Sequence, residues 1–176
     1  MMRIIINYNH QAPDMMDFPT TDNVVDQAFH ELNLGLKLCL WGVRHEVHAW
    51  AHARPVCSVV LQTFEAAEIG EAPALLRLSV QQLSEWALRP VEFNHPNIHR
   101  LHPDEICWLT CLERVARQTQ PGLRDLLEGT TAPDGDDAVR RSLERIVAYV
   151  APRIPLTHAV PACLAQVQAN VSYRVH

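Results

Sequence analysis

The sequence predicts an all-α, single-domain helical bundle of five to seven helices spanning residues 1–176, with a short two-stranded β element drawn from the termini. Three observations lead there. Apolar residues recur at steps of three and four through most of the chain. The breaks between these runs are short and marked by proline. Only the extreme ends show strand character.

RIIINY, Arg3 to Tyr8, reads as a short strand, because isoleucine and tyrosine suit a pleated, half-buried surface. QAPDMMDFPTTD carries Pro13 and Pro19 and reads as a loop, after which Thr20, Thr21 and Asp22 offer N-caps. An apolar stripe then runs through Val25, Phe29, Leu32, Leu36, Cys39, Leu40, Val43, Val47 and Trp50. As one helix of roughly thirty residues it would be about 45 Å long. Gly35 and Gly42 weaken it, so a break or kink is expected near one of them.

Val56 to Ile69 reads as a second helix, stopped by Gly70. Pro73 to Leu88 is a third, with Leu76, Val80, Leu83 and Ala87 on one face. RPVEFNHPNIHRLHPD carries Pro90, Pro96 and Pro103 and has no helical period, so it reads as an extended connector. DEICWLTCLERVARQ is a fourth helix, with Pro103 at its first position. GLRDLLEG is a short fifth and DAVRRSLERIVAYV a sixth, separated by a turn with capping aspartates. That acidic turn lacks the ligand ladder of a calcium loop. In CLAQVQANVSYRVH, the alternation from Val171 to Val175 suits a strand that could pair with RIIINY. The expected core comprises Val25, Phe29, Leu32, Leu36, Val43, Val47, Trp50, Leu83, Leu109, Leu112, Val115, Ile146 and Val147.

Composition narrows the function classes. A length of 176 residues is enough to bury a core without disulfides or metal. A net charge of −5 argues against a general nucleic-acid or anionic-membrane surface. The longest apolar stretch, LGLKLCLWGV, is half of a membrane span and contains Lys37. The N-terminal apolar run is too short for a signal-peptide core. Five scattered cysteines without a CxxC spacing suit reduced thiols, so a cytoplasmic protein is expected.

Two segments concentrate chemistry. RHEVHAWAH places His45, His48 and His52 within about 60° of one another on a helix, away from the apolar seam. It is not a zincin motif. The pair spaced four apart, His48 and His52, has Ala49 where the general-base glutamate would stand. Two imidazoles at that spacing can nonetheless reach one ion, with further ligands from another segment or subunit. The second segment, Asn94 to Cys111, carries His95, His99 and His102 on the connector and Cys107 and Cys111 on the next helix. Thiolates and imidazoles are ligands for zinc or iron. The plain alternative is that the cysteines pack as small hydrophobes and the histidines bond loop backbone and cap the helix.

No GxSxG, P-loop or GxGxxG motif is present. A Cys–His nucleophile pair, for example Cys107 with His99, would need an activated thiolate, which the order of residues does not demonstrate. No cofactor is required and no catalytic residue is assigned. The expected function is that of a non-enzymatic helical protein-interaction or regulatory module, with itself (a homodimer using part of Leu34 to Trp50) or another protein as partner. The alternative is a small transition-metal-binding or metal-sensing protein.

Overall fold

The computed structural model describes residues 4–7, 29–118 and 131–157. Its elements are β1 (Ile4–Asn7), α1 (Leu34–Ala51), α2 (Ser58–Ala66), α3 (Ala72–Trp86), β2 (Val91–Asn94), α4 (Pro103–Ala116) and α5 (Asp136–Val150). A 3₁₀ turn, Pro133–Gly135, leads into α5. The protein is therefore mainly helical with a small two-stranded sheet. Among the described residues, no helix is long and apolar enough to cross a membrane. GLRDLLEG, Val25 and the C-terminal segment with Val171 to Val175 and Cys163 lie outside the described residues.

Heptad-like spacing sets the packing. Val139, Leu143, Ile146 and Val150 follow steps of four, three and four along α5, and all are buried. They pack against α3 and α4, and α3 also packs on α1. Leu76, Val80, Leu83 and Ala87 are all buried, as their period requires. Of the expected core, Leu32, Leu36, Val43, Val47, Leu83, Leu109, Leu112 and Ile146 are buried, and Phe29, Val115 and Val147 pack against its edge.

The long first helix is in fact broken. Residues 29–31 are helical, and a new helix begins after Asn33. The Asn33 side chain accepts a hydrogen bond from the Leu36 amide at 2.8 Å, an N-cap that satisfies one of the donors a helix start leaves open. The break falls at Asn33, close to Gly35 as expected, although neither Gly35 nor Gly42 makes it. Both lie within α1 where another segment comes close. A Cβ on Gly42 would stand 2.6 Å from Leu76 Cδ1 and 2.7 Å from Phe64 Cζ. A Cβ on Gly35 would collide with the Pro155 carbonyl. These glycines serve packing, and the apolar period runs unbroken through the capped junction, which is why the stripe looked continuous.

Three further expectations are corrected. Trp50 is 40% exposed rather than core, because it sits on the last turn of α1, beyond the reach of the elements that cover the seam. The second helix ends at Ala66, not at Gly70, and Glu68 adopts a left-handed φ of 59° there. The β element is not confined to the termini, since β1 pairs in parallel with β2, in register Ile4↔Val91 through Asn7↔Asn94. VEFN alternates as a strand should, with Val91 and Phe93 buried and Glu92 half-exposed, but flanking prolines obscured it. Parallel pairing needs a long crossover, and α1 to α3 provide it.

Candidate functional site

The site is built on a buried ion pair. Arg44 lies on the row Leu36, Leu40, Arg44 of α1 and is only 2% exposed. Its guanidinium meets Glu105 of α4 in bidentate fashion, with Nε to Oε1 and Nη2 to Oε2 both at 2.7 Å. Nη1 donates to the Ile98 carbonyl, and Nη2 also donates to the Arg100 carbonyl at 2.6 Å. Glu105 in turn accepts from the backbone amides of Asn94 and His102, each at 2.8 Å. The Asn94 side chain donates to the Arg100 carbonyl at 2.9 Å. A buried charge pair is tolerated only when its remaining donors and acceptors are matched in this way. The consequence is mechanical: the connector between β2 and α4 is tied to α1 through its own backbone.

That connector brings one of its histidines to the α1 stripe. The ring centres of His48 and His52 lie 4.5 Å apart, and that of His95 lies 5.1 Å from His48. His45 stands beside them with its ring edge-on to Trp41, centres 4.7 Å apart. His45 and His48 are half-buried and His52 is exposed. Four of the sequence-predicted residues, from two distant segments, are thus assembled on one face.

The other four go elsewhere. His99 faces the Phe29 and His30 rings at 5.6 and 6.3 Å. His102 is the N-cap of α4 and accepts from the Asp104 amide at 3.3 Å, while Glu105 closes the capping box. Cys107 and Cys111, one turn apart, face a cavity with Leu83, Val91, Asp104, Trp108, Val139 and Leu143, and no histidine is among these lining residues. A Cys107–His99 pair is therefore not formed: the loop tie turns His99 toward Phe29. The hydrogen bond between the two thiols holds Cys107 below the usual thiol range and Cys111 above it. Burial pushes the Cys39 thiol up to about 12, so it packs as an inert apolar group. Burial raises the Asp104 carboxyl, but Arg89 and the Glu92 amide outweigh it and hold it below its usual range. Among the described residues, no three His, Cys, Asp or Glu side chains already stand as a ready ligand set for a metal ion.

The pair missed in sequence is Arg44 with Glu105. Its signals were present. An arginine four residues after Leu40 continues the buried row, and H-P-D-E spaces a cap and its glutamate three apart.

Compared with known protein families, with curated proteins and with solved structures, the chain matches none.

The histidine cluster makes stability depend on pH. Burial first, then His48 and His95, hold His45 below the ordinary value of 6.5. Burial, His52, His95 and Arg54 do the same to His48. A histidine with a depressed folded pKa takes up its proton more readily when unfolded. Its contribution is complete above 6.5 and declines as pH falls from there toward the lowered folded values. Glu46 has the opposite sign, because burial raises its carboxyl despite the Arg77 pair. The denaturation midpoint is expected to be lower at about pH 5.5 than at about pH 7.5, with part of the difference removed in a His45→Gln, His48→Gln variant. An unchanged pH dependence in that variant would contradict the assignment.

Proposed function

We propose that the protein is a non-enzymatic helical module, held in the cytoplasm, that acts through protein contacts with a second copy of the chain as its partner. The contact face is the histidine-bearing side of α1 together with the Asn94–His102 segment. The observation that carries this reading is the destination of the Arg44 donors. They bind the Ile98 and Arg100 carbonyls and so fix an exposed segment before anything binds it. A surface ordered in advance loses less entropy on association. The apolar seam of α1 is covered within the chain, which leaves this outer side for a partner.

Sedimentation velocity at high micromolar concentration tests the proposal. A dimer in the wild type that dissociates in His52→Asp, which places a negative charge on the exposed part of that face, is the expected result. Monomer alone at that concentration removes the self-partner reading.

A second reading, a small metal-binding or metal-sensing protein using zinc or iron, is favoured by one observation, the arrival of His95 beside His48.

A further inference from the structure

We propose that His48, His52 and His95 bind one divalent transition-metal ion, with water completing its coordination. The proposal deepens the second reading above and is independent of any partner chain.

The ring-centre distances carry it. An imidazole nitrogen sits about 2.0–2.1 Å from zinc, which puts each ring centre about 3.2 Å from the ion. Two imidazoles sharing that ion then have centres about 4.5 Å apart at a right angle, and about 5.2 Å apart at the tetrahedral angle. The observed separations, 4.5 Å for His48–His52 and 5.1 Å for His48–His95, fall within that span. Loading requires the rings to turn about their side-chain bonds while their centres stay in place. At His95 Nδ1 the ion competes with the Asn97 amide, which donates at 3.3 Å.

The chain supplies the third ligand by a fixed route. His48 and His52 are one turn apart on α1, and the Arg44–Glu105 tie holds the connector that carries His95. An all-imidazole set suits zinc, copper or nickel. Burial and the neighbouring rings favour the neutral, coordinating form of His48. Arg54 acts on His48 as a like charge and opposes the ion, which limits affinity.

The test is calorimetric titration of zinc chloride into tag-free, chelator-stripped protein at concentrations where it is monomeric. One ion per chain is expected. His95→Ala is expected to weaken binding at least about tenfold, the scale lost when even a supporting partner of a ligand is removed. A His48→Ala, His52→Ala variant should abolish saturable binding, and His99→Ala should leave it unchanged. Circular dichroism checks that each variant is folded. No saturable binding by the wild type overturns the proposal. So does equal affinity in His95→Ala, which would reduce the site to a helical pair.

Discussion

Arg44→Ala is expected to cost about 3–5 kcal/mol of folding stability, the scale of breaking a buried ion pair from one side. Glu105 would keep the Asn94 and His102 backbone amides and the Asn94 side chain but lose both charge-assisted contacts, while remaining fully buried. The Ile98 and Arg100 carbonyls would lose the arginine as a donor as well, although the Asn94 side chain still donates to Arg100. Chemical denaturation measures this directly, and a loss below about 1 kcal/mol would show that the pair is not truly withdrawn from water. Arg44→Lys should recover only part of the loss, since a single ammonium cannot reproduce the planar fork. An apolar double variant, Arg44→Met with Glu105→Leu, is expected to cost less than the two single losses added together. Residues this close act as one unit, and removing both leaves no orphaned charge.

Leu112→Ala is expected to cost about 2–5 kcal/mol, the range for a fully buried leucine. Leu112 is 0% exposed on α4, the helix that also carries Glu105 and packs against α5. The spread in that range reflects how far the surroundings can relax into the cavity. Here α4 is fixed at its start by the His102–Glu105 capping box, so little collapse is expected and the upper half of the range applies. Urea or guanidinium unfolding reads the effect as a shift in midpoint at constant slope. A change near zero would place Leu112 outside the core and overturn the packing of α4.

The two variants separate two kinds of stability. Leu112→Ala removes apolar contact and leaves the connector tied. Arg44→Ala releases the connector, so it should also move His95 away from His48. Zinc affinity per folded chain is therefore expected to fall in the second variant and not in the first.

The sequence by itself determined the helical elements and their buried faces. Val139, Leu143, Ile146 and Val150 could be read from period alone, because burial on a helix is a local consequence of spacing. The same logic placed His45, His48 and His52 on one side of α1 and found the strand character of RIIINY. What period cannot encode is the identity of a distant neighbour. The partner of β1, the burial of Arg44 against Glu105, and the delivery of His95 but not His99 to the α1 stripe all depend on contacts between separate elements. The same holds for Trp50, whose spacing matched the seam while its cover ended a turn earlier. Tertiary structure decided these points because a charged side chain enters the interior only where another segment supplies its opposite charge and hydrogen bonds. In this chain that supply comes from α4 and the connector, and it brings His95 to the α1 stripe.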